Sequence, residues 1–164
     1  MKKFKHYIKE IIIFFIFITI FANVISIYRS MDLNKSPLNI ESVTLLNNTQ
    51  YLLPKDKTIM IHFWATWCPS CKLEASNIQK ISEHYEVLTI AYRSGSDEEI
   101  KKYLKDNQLH YNVVNDNDGY ITSKFDISVF PTTIIYDKNK NIIFSDVGYT
   151  STIGLYLRMW WANF

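Results

Sequence analysis

Residues 11–28 form an apolar run without charge, broken only by Thr19, Asn23 and Ser26. As a helix such a run is about 27 Å long, enough to cross a bilayer. Beyond a short polar stretch the pattern changes to brief apolar runs that alternate with segments of helical period. Residues 38–46 suggest an edge strand or hairpin, and 58–64, apolar at nearly every position, reads as a buried central strand. Residues 69–85 follow as a helix with Leu73, Ile78 and Ile81 inward, and 87–92 as the next strand. Ser96-Asp97-Glu98-Glu99 is a capping box, with Ser96 as N-cap and Glu99 reaching back, and it opens a helix through 107. Residues 111–114 read as a strand, 120–125 as a short helix, and 132–136 with 141–147 as a hairpin around Lys138-Asn139-Lys140. A final helix covers 151–162, and the Trp160, Trp161 and Phe164 cluster is expected on the face that packs against the sheet. The order predicts a basic segment over 1–10, an anchor over 11–28, a tether over 29–37 and one α/β domain over 38–164.

Composition narrows this picture. The chain has 164 residues, of which 48% are hydrophobic and 21% charged, which suits one domain with a substantial core. Its net charge of +2 is unevenly spread: residues 1–35 carry six Lys/Arg against Glu10 and Asp32, and the rest carries twelve against fourteen. The globular part has no basic cluster, so nucleic-acid binding has no electrostatic footprint. Lys2, Lys3, Lys5 and Lys9 precede the apolar run, which by the positive-inside rule puts the N-terminus in the cytoplasm. The domain is then expected on the periplasmic, extracytoplasmic side of a bacterial inner membrane. A cleaved signal peptide is the competing reading, but Val24-Ile25-Ser26 is its only weak cleavage candidate, so a single-pass uncleaved anchor is expected.

The chemistry is concentrated in Trp64-Ala65-Thr66-Trp67-Cys68-Pro69-Ser70-Cys71-Lys72, which holds the only two cysteines of the chain. Two thiols three residues apart on the first turn of a helix can close a small disulfide, and the helix N-terminus favours a thiolate on the outer sulfur. Pro69 falls where a first turn tolerates proline. Structural zinc would need further ligands, and only His6, His62, His84 and His110 are available, with no second Cys-x-x-Cys. Covalent haem needs histidine where Lys72 stands. A Cu(I)-binding module, with Cys68 and Cys71 as thiolate ligands and His110 as the one loop-like histidine, is the alternative from another class. Asp116, Asp118 and Gly119 have the look of a calcium loop, but Val114 and Phe125 occupy the first and twelfth ligand positions, so the segment reads as a turn.

The residues 63–72 motif, together with Val129-Phe130-Pro131-Thr132 before the terminal hairpin, makes the chain from about Leu38 onward resemble a thioredoxin-fold protein. Within that fold it is most similar to the membrane-anchored TlpA, ResA and CcmG type and to ScsD-like disulfide oxidoreductases, on the anchor, the Trp-Ala-Thr-Trp-Cys wording and Glu74. The resemblance implies a central mixed sheet flanked by helices, and thiol:disulfide exchange with exported protein clients without a cofactor.

It also implies roles. Cys68, at an exposed helix start, attacks a client disulfide, and the more buried Cys71 resolves the mixed disulfide. Cys71 needs a base, for which His62 with a pKa near ~6.5 and Glu74 are the candidates. Pro131 is the expected cis-proline, Phe130 presents its main chain to an extended client, and Trp67 and Pro69 complete the client-contacting surface, with Trp64 in the core. Pro69-Ser70 adds no positive charge between the cysteines, which favours a reductant fed by a membrane electron donor over a net oxidant or isomerase.

Overall fold

After helix α1 (Lys2–Ser30) the chain forms β1 (Ser42–Thr44) and β2 (Gln50–Leu52), then β3 (Ile59–Trp64), α2 (Pro69–Ser82), β4 (Glu86–Tyr92) and α3 (Asp97–Asp106). It continues through β5 (Asn112–Asp116), α4 (Tyr120–Lys124), β6 (Thr132–Tyr136), β7 (Ile142–Val147) and α5 (Thr152–Ala162). The computed structural model describes residues 2–30 and 38–164, so the tether expected at 29–37 lies, after the last two residues of α1, outside the described residues. Among the described residues, which leave out several side chains within 11–28, no helix is long and apolar enough to cross a membrane.

Strands β5-β4-β3-β6-β7 form one mixed sheet, and β1 and β2 make a separate antiparallel hairpin. β3 is parallel to β4, and β4 to β5, whereas β6 is antiparallel to both β3 and β7. All six residues of β3 are buried because strands cover both of its edges and helices or loops both of its faces. Side chains alternate between two cores. Met60 and Trp64 meet Cys71, Ala75, Ile78 and Ile81 of α2 and Leu155 and Met159 of α5. Ile59, Ile61 and Phe63 meet Leu38, Val43, Leu53 and Phe125 on the opposite face. By the same parity His62 lies under α2.

Two expectations about helix faces are corrected. Leu73 points to solvent, because the buried stripe of α2 is Cys71, Glu74, Ala75, Ile78 and Ile81 and position 73 falls on the far side. Trp160, Trp161 and Phe164 are likewise exposed: the inner stripe of α5 is the slimmer Leu155, Met159 and Ala162. α2 also ends at Ser82 rather than 85, with Glu83 as its C-cap.

Candidate redox active site

Cys68 and Cys71 are joined as a disulfide across the first turn of α2, with Cα atoms 5.3 Å apart. Cys68 is the N-cap in extended backbone, and its Sγ accepts the Cys71 N–H at 3.2 Å. A helix start leaves such N–H groups without partners, so this donor and the helix dipole both favour negative charge on Cys68 once the disulfide opens. Pro69 takes the first helical position, where its missing N–H costs nothing. The exposed Cys68 expected from sequence is not found in this oxidised form: Cys68 is 4% exposed and Cys71 2%.

The cover over the sulfurs comes from two segments. Trp67 stays open to solvent, with its indole N–H donating to the Arg93 carbonyl at 3.1 Å. Its ring meets Phe130 edge-on with centroids 5.9 Å apart, and Phe130 stacks on Tyr92 at 4.9 Å. The Ser70 hydroxyl lies 3.4 Å from Cys68 Sγ and donates to the Phe130 carbonyl at 3.4 Å. The Phe130–Pro131 peptide is cis. Trp67, Cys68, Ser70, Phe130 and Pro131 are thus brought together by the start of α2 and the entry to β6. Trp64 is in the core between Tyr103 and Tyr111.

Beneath α2 a polar row crosses four strands in register: Thr89, His62, Thr133 and Asp146. His62 Nδ1 lies 2.9 Å from Thr133 Oγ1. Complete burial pushes the imidazole down to about 3, against the value near 6.5 expected from sequence. It is therefore neutral at physiological pH and a weaker base than the sequence leads one to expect.

Glu74 lies one helical turn beyond Cys71 on the same buried face of α2. It is fully buried, and its Oε1 accepts the Thr150 N–H at 3.1 Å, while Oε2 has no hydrogen-bond partner among the described residues. Burial raises its pKa to about 8, with the Thr150 N–H opposing and the charge of Asp146 reinforcing the rise. That rise brings the carboxyl toward the range in which a free thiol ionises, near ~8.5. His110 precedes β5 at the end of the sheet remote from the cysteines, so it does not complete a copper site with them.

The AhpC/TSA family model matches residues 33–145. The chain belongs to the AhpC/TSA family. A thioredoxin-like protein of Haemophilus influenzae is 31% identical over 90% of this chain and 93% of its own length. The sporulation thiol-disulfide oxidoreductase A of Bacillus subtilis is 24% identical over 57% of this chain and 61% of its own length. ResA of Bacillus subtilis, a thiol-disulfide oxidoreductase, is 26% identical over 54% of this chain and 52% of its own length, so the chain spans only about half of that relative. The crystal structure of StoA from Bacillus subtilis superposes with a TM-score of 0.65 at 20% identity, covering 77% of this chain and 98% of StoA. The fold is the thioredoxin fold with its mixed central sheet, and the homologues and structural neighbours are thiol-disulfide oxidoreductases of that fold.

Sequence reasoning missed part of this family member's site. Asp146 on β7, buried, pairs with Arg158 Nε of α5 at 2.7 Å and supplies the charge that acts on Glu74. The signal was present: Arg158 is the only charged residue of an otherwise apolar terminal helix. Asp146 was hidden because one carboxylate in a half-buried strand looks like a solvent-facing position until the sheet register is known.

Proposed function

We propose that this chain is a membrane-anchored thiol-disulfide oxidoreductase whose thioredoxin-like domain works on the extracytoplasmic side, reducing disulfides in exported protein clients. The observation that carries the reading is the position of Cys68 Sγ at the N-terminus of α2, held by the Cys71 N–H and facing Phe130 and Pro131 through Ser70. The apolar run of 11–28 with lysines ahead of it supports the anchor and its orientation.

The reaction has two exchanges. In the reduced protein the Cys68 thiolate attacks one sulfur of a client disulfide, forms a mixed disulfide and expels the other client sulfur as a thiolate. Cys71 then passes its proton to Glu74 and attacks the Cys68 sulfur, which re-forms the Cys68–Cys71 disulfide and frees the reduced client. Two electrons have moved to the client, and a membrane dithiol donor restores the reduced pair. An extended client segment lies beside Phe130 as an added strand, with Trp67 and Pro69 as its apolar floor. Pro69-Ser70 offers the Cys68 thiolate one hydroxyl and no positive charge, which favours the reducing direction.

Replacing Cys71 with serine tests the whole reading. The variant should accumulate Cys68 mixed disulfides with exported proteins, captured by acid quenching and identified by mass spectrometry, and a membrane-impermeant maleimide should label Cys68 in wild-type cells. Absence of any captured protein, or wild-type Cys68 that stays oxidised with the donor pathway intact, would remove the reductant proposal.

A further inference from the structure

One face of α5, continued by Phe164 beyond its C-cap, is apolar and uncovered among the described residues. Ile153, Leu157, Trp160, Trp161 and Phe164 are all exposed, from 53% at Trp160 to 89% at Phe164. At 100° per residue these five positions fall within an arc of about 100°, directly opposite the buried Leu155, Met159 and Ala162. The face is therefore an ordered stripe, and Trp160 and Phe164 already pack on each other with centroids 4.8 Å apart. No Asp or Glu lies between Ser151 and Phe164. Paired indoles beside aliphatic side chains, with no negative charge, match the interfacial layer of a bilayer, where tryptophan is enriched.

The position of this stripe in the fold says what covers it. The start of β3 marks one end of the sheet: Thr58 Oγ1 donates to the Ala162 carbonyl at 3.0 Å, so the Trp160, Trp161 and Phe164 cluster lies at that end. The chain enters the domain there too, because the Leu38 N–H donates to the Lys140 carbonyl at 3.1 Å and Lys140 Nζ donates to the Lys57 carbonyl at 3.1 Å. Cys68 follows the opposite end of β3, about 20 Å away along the strand. Only residues 31–37 separate α1 from Leu38, a reach of about 28 Å at full extension. A leash that short, attached at the end that bears the aromatic cluster, keeps that cluster within reach of the bilayer surface. A second copy of the chain is a poorer match, since a stable dimer uses about 20–30 residues a side and this stripe offers five.

We infer that the outer face of α5, led by Leu157, Trp160, Trp161 and Phe164, docks on the surface of the membrane that holds the anchor, so that the domain stands with Cys68 directed away from the lipid. The inference rests on the anchor proposed above. It extends that reading by giving the domain a fixed stance, one that presents the redox end to water-borne clients.

The test uses the full chain reconstituted in phosphatidylcholine/phosphatidylglycerol vesicles whose acyl chains are brominated near the headgroup. Tryptophan fluorescence should be quenched relative to unbrominated vesicles, and Trp160→Phe/Trp161→Phe should remove at least half of that quenching. Leu157→Glu/Phe164→Glu, at exposed positions that leave the core intact, should remove as much while turnover of a soluble disulfide peptide is unchanged. Alkaline extraction separates the two levels. A chain that resists extraction but shows no quenching overturns the docking alone, whereas a chain that washes off overturns the anchor and the docking with it. Absent quenching together with concentration-dependent dimers in detergent, abolished by Leu157→Glu, would assign the face to a second copy instead.

Discussion

At the residue scale the proposed chemistry turns on Glu74, a carboxyl whose titration burial raises to about 8, so that an ionised fraction able to take a proton is present in the range where a thiol ionises. It has one hydrogen bond, from the Thr150 N–H, and lies close enough to Asp146 for that charge to oppose its ionisation. Glu74→Gln keeps the shape and the Thr150 contact and removes only the titration. It should slow release of a mixed disulfide on Cys68 by about 100-fold, the low end of what a positioned base contributes. Single-turnover release of an aromatic thiol from a preloaded Cys68 adduct measures this. If the variant resolved at the wild-type rate between pH 6 and 9, Glu74 would not be the proton acceptor. Cys68 and Cys71 were legible in the sequence from a local motif, and Pro131 and Glu74 became candidates only through the resemblance to thioredoxin-fold oxidoreductases. The ranking of Glu74 above His62 was not legible, since both are single ionisable residues near the cysteines and only burial tells their pKa values apart.

At the scale of elements, short-range signals were read reliably and faces were not. The capping box of α3 formed as written: Ser96 Oγ accepts the Glu99 N–H, and Glu99 accepts the Ser96 N–H at 2.7 Å. Asp116, read from sequence as part of a turn, has a larger task. Buried at the end of β5, it accepts the N–H groups of Ile121 and Thr122 and the Thr122 hydroxyl, and so fastens the start of α4, whose N-cap Gly119 has a left-handed backbone (φ 77°) and no side chain to cap with. Asp116→Ala would leave those donors without a partner in a dry site, at a cost of about 3 kcal/mol. Urea denaturation followed by tryptophan fluorescence measures the loss, and a change below about 1 kcal/mol would show that the donors find other partners. Ile78 and Ile81 face inward as expected, whereas Leu73 of α2 and the outer face of α5 escaped the sequence for one reason: each helix has apolar residues on more than one side, and the sheet chose the slimmer or more polar stripe.

For the molecule as a whole, two of the buried titratable groups, His62 and Glu74, give stability a dependence on pH whose sign can be worked out. His62 binds a proton in the unfolded chain below its usual 6.5 but in the folded protein only below about 3, so stability falls as pH drops through that window. Glu74 holds a proton in the folded protein up to about 8 but loses it in the unfolded chain above 4.5, so stability falls as pH rises through that window. The two slopes oppose each other between 4.5 and 6.5, which predicts a broad maximum there with losses on either side. Denaturation midpoints across pH should show the alkaline limb flattened by Glu74→Gln and the acid limb flattened by His62→Leu. A wild-type profile that keeps rising from pH 6 to 8 would contradict the placement of Glu74.

By itself the sequence determined the strands and helices of the central layer, their order and the redox pair, because strand and helix periodicity, capping and a Cys-x-x-Cys on a first turn are encoded by neighbours a few residues apart; β2 was not read, and the hairpin expected within 38–46 forms over 42–52. Only the tertiary structure decided that Glu74 is buried with a raised pKa, which residues form the polar row from Thr89 to Asp146, and which face of α5 is left open. Those properties depend on desolvation and sheet register, and both arise where residues 70 or more positions apart come into contact, as His62 and Thr133 or Glu74 and Thr150 do.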